Sequence, residues 1–467
     1  MDLLADKPIT LQTKLAILAT GLLSFTGILV ETSLNVTFPT MAKQFNTALG
    51  TVQWLTSGYL LMVTIVMSTT AFLIKAFNTR TLFRTAIIAT LLGTSLASVA
   101  PSFGLLMAGR LLQAIATGLS TPLMFHVILA LIPENRLGVY MGFASMITSF
   151  APALGPTYGG ILNYYFSWRM IFIAILPVII LVFFLGDRNI RLVAAHTNGK
   201  FDLVGTTLLA LVLFGFIEVF AQGGRHGFVS WPLGVTLVLS LGFLVVFLYH
   251  VSHGKNQILN FRILTNPIVL LRAINFFLLQ FMNIGISFVI PVFVQNYLGT
   301  NSMMSGLILL PGSLIGALVS PVAGTIYDKH GAAITLYIAN GSMFIGACLF
   351  ASFTHDLSLV GITLIYIFMR FGFNFGFGNI MSDASLQVPV SAKADLNSLF
   401  NTLQQYAGSL GTGVLSAVMS ATSLHTANKA AVAWGAQKDF IILSVLSLTC
   451  LVVTVIALRF KHRQATV

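Results

Sequence analysis

The sequence predicts an all-α integral membrane protein with 14 transmembrane helices, built as two six-helix halves plus two inserted helices. Of its 467 residues, 57% are hydrophobic and only 8% are charged, whereas a soluble domain has about a quarter of its residues charged. The mean hydropathy is +0.93. The apolar residues form continuous runs of the ~20 residues that cross a bilayer as a helix. A soluble fold is therefore excluded, as is a β-barrel, whose strands alternate over ~10 residues.

Fourteen apolar runs can be traced along the chain. They cover residues 14–36, 51–74, 82–100, 103–132, 138–163, 168–186, 204–222, 233–252, 266–296, 303–326, 332–353, 358–382, 397–420 and 438–458. Each is expected to be helical, because a backbone exposed to lipid must satisfy its own hydrogen bonds. We assign 1–186 to an N-terminal half, 187–265 to two inserted helices with cytoplasmic linkers, and 266–467 to a C-terminal half. The short loops leave no room for a soluble catalytic domain.

The distribution of basic residues predicts the orientation. With the N-terminus in the cytoplasm, sixteen of the 24 Lys and Arg residues fall at cytoplasmic ends and five at external ends, which agrees with the positive-inside rule. Both termini are then cytoplasmic. The net charge of +12 reflects this loop bias, so no nucleic-acid partner is expected. The first span lacks a cleavage site and is expected to remain as an anchor.

A weak internal repeat relates the two halves. Arg110 in span four and Arg370 in span twelve each precede a glycine by eight residues. Glu31 in span one and Asn283 in span nine each precede a proline by eight residues. Two parallel halves related by an axis along the membrane normal are a transporter architecture.

Glu31 is the clearest candidate for a proton site. An ionisable residue inside the membrane is expensive and marks function by default. Burial favours the neutral form of a carboxyl group and a nearby Arg favours the charged form, so Glu31 can change protonation when a cavity opens to either side. Asn35 lies one turn further along the same face. The alternative is a carboxylate hydrated near the outer headgroups.

Arg110 lies at a depth similar to that of Glu31, and Gln113 follows one turn later. Three roles are open for Arg110: pairing with Glu31, binding a substrate anion, or bonding backbone carbonyls as a structural Arg. Arg272, near the inner end of span nine, is expected to snorkel towards the interface.

Several spans are polar enough to line a cavity. The side chains that we expect there are Asn35, Gln113, Gln280, Asn283, Arg370, Asn374, Gln404 and Gln405. In span five, Gly155 and Gly159 form a small-xxx-small face that lets helices approach closely. This segment is interpreted either as a packing surface or as a flexing seal against leak, since Pro156 allows a bend.

Four motifs resemble those of the major facilitator superfamily, and specifically of its 14-span drug:proton antiporters (EmrB/QacA type). They are Glu31 to Pro39, Arg110 to Gln113 with Gly118, the antiporter motif with Gly155, Pro156, Gly159 and Gly160, and Trp168 to Phe172. The resemblance implies cavity-lining spans one, four, nine and twelve, and a proton-transfer role at Arg110.

The same resemblance implies two cytoplasmic gating loops. The loop after span two departs from the family pattern, since Lys75 stands where Asp is usual, although Arg80 remains. The corresponding loop of the second half keeps the pattern with Gly324, Asp328 and Gly331.

The combined prediction is a secondary transporter that exports small amphiphilic compounds or drugs in exchange for protons, by alternating access. Its expected partners are membrane lipid, protons and a small-molecule substrate, and we expect a monomer in the plasma membrane. An ion-coupled importer or metabolite permease on the same fold is the alternative, and a lipid-modifying membrane enzyme is a remote one, since the acids are scattered. The sequence has no phosphate-binding loop of the ATPase type. No cofactor is expected, and no metal site, because no acid is near His250 and His253 in sequence.

Overall fold

The computed structural model describes residues 9–191, 201–253, 261–389, 392–422 and 429–465. Throughout these residues the regular structure is helical. The segments 192–200 and 254–260, which belong to the predicted cytoplasmic linkers, and both chain termini lie outside the described residues.

Nine helices precede the first linker. They are α1 (Leu11–Ser33), α2 (Phe38–Gln44), α3 (Leu49–Val52), α4 (Trp54–Ala76), α5 (Thr79–Val99), α6 (Phe103–Leu131), α7 (Glu134–Tyr165), α8 (Met170–Ile173) and α9 (Leu176–Asn189). Eight helices follow it among the described residues. They are α10 (Leu203–His226), α11 (Trp231–His253), α12 (Pro267–Asn296), α13 (Ser302–Leu307), α14 (Leu310–Phe353), α15 (Leu359–Ser385), α16 (Lys393–Thr422) and α17 (Lys429–Ala465).

Several long helices begin at a side-chain cap. Thr10 accepts a hydrogen bond from the Thr13 amide at the start of α1 (3.2 Å), and Ser102 accepts one from Leu105 at the start of α6 (3.4 Å). Asn266 caps α12 and Ser358 caps α15 in the same way. These caps satisfy amide groups that the first helical turn leaves without a partner.

Eleven helical segments of the described chain are long and apolar enough to cross a membrane. One of them, Ser302–Asp356, has 55 residues, far more than the ~20 needed for one crossing. Within it, Gly331 adopts φ +75° and interrupts α14, a left-handed conformation that glycine adopts without steric cost. The long helices α7 and α16 are not among the eleven. The first span is longer than predicted, because a 3₁₀ turn joins α1 to α2.

The predicted N-terminal and C-terminal halves contact each other mainly through two helix pairs, α4 with α16 and α7 with α13. We call the side where α1 begins and α17 ends the near side, and the opposite side the far side. Ser57 Oγ donates to the Ser409 carbonyl (2.9 Å) and Ser409 Oγ donates to the Ser57 carbonyl (2.7 Å). Ser302 Oγ donates to the Gly160 carbonyl (3.2 Å). These residues lie in the far-side parts of their helices, so the halves are closed together there.

The helices α10 and α11, which fall in the segment predicted to be inserted, pack on each other, and α10 also packs on α16 and α4. The Trp54 and Phe214 rings contact each other at a centroid distance of 5.7 Å, and Tyr406 donates to the Leu213 carbonyl (3.3 Å). The helix α10 therefore contacts helices of both predicted halves. The outer surface of α11 remains apolar and exposed, as expected of a helix in contact with lipid.

Candidate functional site

Glu31 lies in the last turn of α1, just before the 3₁₀ turn, and is 7% exposed. Its Oε2 atom is buried and has no hydrogen-bond partner in the described part of the chain. A buried carboxyl oxygen without a partner is costly, and it is available to accept a hydrogen bond or a proton. The position predicted for a proton site therefore holds a carboxyl group with a free oxygen.

Arg110, on α6, is completely buried. Its Nε donates to the Leu55 carbonyl (3.3 Å) and its Nη1 donates to Gln113 Oε1 (2.9 Å). Its guanidinium carbon lies 3.9 Å from the centroid of the Tyr59 ring, a cation–π geometry that is strengthened by desolvation. The Nη2 atom has no partner among the described residues.

Tyr59, on α4, joins the two charged groups, and sequence reasoning missed it. Its hydroxyl donates to Thr117 Oγ1 (2.6 Å), and the residue interacts electrostatically with both Glu31 and Arg110. Glu31 and Arg110 also interact electrostatically, but no ion pair within 4.0 Å joins them in the described chain. The hydrogen bond from the Arg110 side chain to the Leu55 carbonyl corresponds to the structural role, one of the three roles that the sequence analysis considered. The same span carries several Ser and Thr residues, so nothing in the sequence singled out Tyr59.

The side-chain amides of Asn35 and Gln113 form hydrogen bonds with neighbouring helices of the first half. Asn35 Oδ1 accepts from Thr56 Oγ1 (3.0 Å), and Gln113 Nε2 donates to Thr94 Oγ1 (2.8 Å). These bonds fix the orientation of both amides and, through Gln113, the position of the Arg110 guanidinium.

The second half brings together two of its predicted residues. Arg370 on α15 donates through Nη1 to Asn283 Oδ1 on α12. Asn374 Nδ2 donates to the Arg370 carbonyl (2.9 Å), and Asn374 Oδ1 accepts from Ser320 (3.1 Å). Among the other side chains expected in the cavity, Gln280 and Gln405 are buried and Gln404 is half-buried.

Arg272 corrects one expectation, because it does not snorkel. Both Arg272 and Asp383 are fully buried, and Arg272 Nε lies 2.7 Å from Asp383 Oδ2. Tyr327 also donates to Asp383 (3.4 Å). The long side chain that was expected to reach the interface turns inward instead, because a carboxylate on α15 is available inside the protein.

The glycines of α7 sit directly against neighbouring helices, and Gly159 and Gly160 face backbone atoms. A Cβ atom on Gly159 would lie 2.8 Å from the Ser33 carbonyl carbon and 2.9 Å from its Cα. One on Gly155 would lie 2.8 Å from Thr32 Cβ, and one on Gly160 would lie 3.2 Å from the Ser302 carbonyl carbon. The α7 glycines therefore pack on α1 of their own half and on α13 of the other half, next to Pro156.

The two predicted gating loops lie on the near side. Arg80 and Arg84 both bind Asp187 at the end of α9, with Arg80 Nη2 at 3.0 Å and Arg84 Nε at 2.5 Å. Sequence reasoning missed this acid. Lys75 is exposed, as are Asp328 and Gly331, and Gly324 has open space at its Cβ position.

The fold brings an acid to His250 that is distant in the sequence. The Asp202 carboxylate lies 3.0 and 3.1 Å from His250 Nε2, although 48 residues separate them in the chain. The pair links the ends of the two inserted helices. Across the described residues, no cluster of three or more His, Cys, Asp or Glu side chains is placed to hold a metal ion.

Comparison with known proteins decides the family. The model of the Major Facilitator Superfamily matches residues 20–412. The chain belongs to the Major Facilitator Superfamily. It is a membrane transporter of small molecules and not an enzyme.

Named relatives and a solved transporter structure resemble the chain over most of its length. The lincomycin resistance protein LmrB of Bacillus subtilis (strain 168) is 31% identical over 408 residues, covering 86% of this chain and 84% of the relative. The riboflavin transporter RibZ of Clostridioides difficile (strain 630) is 26% identical, covering 84% and 85%. A bacterial homologue of the human lysosomal transporter Spinster, crystallised inward-facing and unoccupied, superposes with a TM-score of 0.72 at 15% identity and covers 96% of this chain and 98% of that one.

Proposed function

We propose that this transporter exports amphiphilic small molecules in exchange for protons, as a 14-span drug:proton antiporter. The observation that carries the proposal is Glu31, a buried carboxyl group with a free oxygen beside Tyr59 and Arg110. Relatives named for lincomycin resistance support drugs as the class of substrate. An intramembrane acid of this kind is typical of proton relays.

The proposed mechanism is alternating access. In the present conformation the halves are closed on the far side by α4 with α16 and by α7 with α13. Glu31 takes up a proton from one side, the halves rock, and the proton leaves to the other side while substrate moves in the opposite direction. Arg110 disfavours the protonated carboxyl and so promotes release. Substrate contacts are assigned to the second-half pair Arg370 and Asn283, with the polar side chains of α12 and α16.

The proposed topology has fourteen crossings. It counts the eleven apolar segments, divides Ser302–Asp356 at Gly331, and adds α7 and α16. Both termini are then on the same side, which we assign to the cytoplasm of a plasma-membrane protein that acts as a monomer. The inserted helices correspond to α10 and α11, between a half ending at α9 and a half beginning at α12.

Drug resistance and proton flux together test the proposal. Cells that express the chain are expected to tolerate more lincomycin than cells that express Glu31→Gln at equal abundance. In proteoliposomes, addition of a transported compound is expected to release protons in the direction opposite to its movement. Transport of the compound without counterflow of protons would contradict antiport.

Uptake of a metabolite is a second candidate, favoured by the resemblance to RibZ, which is named a riboflavin transporter. Growth of a riboflavin auxotroph at limiting riboflavin separates the two functions. An importer restores growth, whereas an exporter of drugs does not.

A further inference from the structure

We propose that a cavity on the far side of the protein is a second ligand site, which binds an uncharged amphiphilic molecule of drug size. The cavity has a volume of about 520 Å³, within the range of ~300–1,000 Å³ that is typical of small-molecule sites. Its walls come from the first half, the second half and the inserted helix α10. None of the eight side chains expected in the central cavity lines it.

The position of the cavity follows from the packing of α10. This helix contacts α16 closely, because a Cβ atom on Gly224 would lie 2.8 Å from Ala417 Cα. The cavity opens beside this contact, between the far-side ends of α10, α12 and α16 and the residues that begin α3 and α4. The inserted helix therefore closes one side of a space that the two halves alone would leave open.

Two buried hydroxyl groups in the cavity wall lack partners. Ser416 is completely buried, and its Oγ has no hydrogen-bond partner among the described residues; the same holds for Ser420 Oγ. Both residues line the cavity. A buried polar atom without a partner is destabilising, so a ligand with hydrogen-bonding groups is favoured at this wall.

The other residues that line the cavity indicate the chemical class of its ligand. Most of them are apolar or small, with Val292, Met419 and Val432 among the larger side chains. The cation at the rim, Arg225, is already paired with Glu218 of the same helix, so the described lining residues offer no free charge to an ion. Apolar surface with a few hydroxyl and amide groups suits a neutral amphiphile.

The site also has a conformational consequence. Its walls belong to both halves, so the cavity keeps this shape only while the halves are closed on the far side. A ligand that fills it binds one conformation better than the other and shifts the population towards it. Occupancy is therefore expected to slow transport. The binding itself does not depend on the proposed proton coupling.

The test uses the full chain in lipid nanodiscs and the neutral fluorophore N-phenyl-1-naphthylamine. We expect a saturable fluorescence increase above that of empty nanodiscs. Ser416→Ala removes an unpartnered hydroxyl, so it should leave folding intact and weaken binding by about threefold to tenfold. The matched control is Ser24→Ala, since Ser24 is equally buried with an unpartnered Oγ but lies on α1, away from the cavity. This control should bind as the wild type does.

A second pair of variants tests the proposal by changing the volume of the cavity. Gly413→Ala adds a methyl group at ordinary contact distances, the nearest being 3.5 Å from Ile217, and should weaken binding. Gly242→Ala, where nothing lies within 4 Å, should not. The proposal is overturned if the wild type shows no saturable component. It is also overturned if Ser416→Ala and Gly413→Ala bind like their controls, or if Asn283→Ala alone removes the signal, because the probe then binds in the central region.

Discussion

Arg272 and Asp383 form an ion pair in which both side chains are completely buried, with Nε and Oδ2 2.7 Å apart. They lie near the near-side ends of α12 and α15 and connect these two helices. The Nη1 and Nη2 atoms of Arg272 have no partner among the described residues. The pair therefore has the energetics of a buried salt bridge, in which removal of one partner costs more than removal of both.

The first prediction concerns stability. Arg272→Ala leaves the Asp383 carboxylate buried without its cation and is expected to destabilise the protein by about 3–5 kcal/mol. The double variant Arg272→Met with Asp383→Leu removes both charges at similar volume and should recover most of that loss. Thermal unfolding in detergent measures both. A double variant as unstable as Arg272→Ala would mean that the charges themselves are required.

The second prediction concerns Glu31. Glu31→Gln keeps the size of the side chain but cannot release a proton, so transport driven by a pH gradient should be abolished while the protein still folds. Glu31→Asp should keep part of the activity, because the acid is retained at shorter reach. The measurement is substrate accumulation in vesicles under an imposed pH gradient. Full accumulation by Glu31→Gln would place the proton site elsewhere, with Glu218 as the next candidate.

The third prediction concerns Arg110. Arg110→Ala removes the positive charge that favours the ionised form of Glu31, so the pH profile of the initial transport rate should move towards alkaline values. Arg110→Lys keeps the charge but loses the planar guanidinium that contacts Leu55, Gln113 and Tyr59. It should therefore shift the profile less while lowering the rate. An unchanged profile with only reduced protein abundance would make Arg110 structural.

The fourth prediction concerns topology. With an even number of crossings, a reporter that is active only in the cytoplasm should be active when fused after Val467. A cysteine at Asp328, close to the break in α14 at Gly331, should react with an impermeant reagent only in inside-out vesicles. A reporter at the C-terminus that faces outward would require an odd number of crossings. Labelling of position 328 from outside would place the break in α14 on the external side of the membrane.

The fifth prediction concerns the contact of α7 with α1. A Cβ atom on Gly159 would meet backbone atoms of Ser33 at 2.8 and 2.9 Å, and backbone cannot move aside as a flexible side chain can. Gly159→Ala is therefore expected to lower transport strongly at unchanged membrane insertion. Gly341→Ala, where nothing lies within 4 Å, is the matched control and should transport normally. Equal activity of the two variants would show that the close approach is not required.

The fold class was predictable because it depends on local signals. Apolar runs of sufficient length identify helices. The sequence pattern placed Arg370 and Asn283 on spans expected to line one cavity, but the hydrogen bond between them was not predicted. The partners of Arg272 and Arg80 were not predictable. Asp383 is 111 residues from Arg272 and Asp187 is 107 residues from Arg80, and spacing in the sequence does not indicate which helix ends meet.

Arg110 illustrates the same limit within one site. Its depth in α6 and its neighbour Gln113 are readable from the sequence, and a buried Arg needs several acceptors. Which acceptors it finds depends on how α4 packs. The carbonyl of Leu55 and the ring of Tyr59 carry no sequence signal of their own, and the similar depth of Glu31 did not produce a direct ion pair.

The backbone contact between α7 and its neighbours has a kinetic consequence. No side chain at Gly155, Gly159 or Gly160 can reorient to keep touching a retreating helix. Dispersion attraction is short-ranged, and a gap of about 0.5–1 Å already loses a quarter to a half of it. Arrangements in which these helices are partly separated therefore have few stabilising contacts. The change between conformations is thus expected to be close to all-or-none. In the proposed antiport cycle, a brief and rarely populated intermediate gives protons little opportunity to pass without substrate.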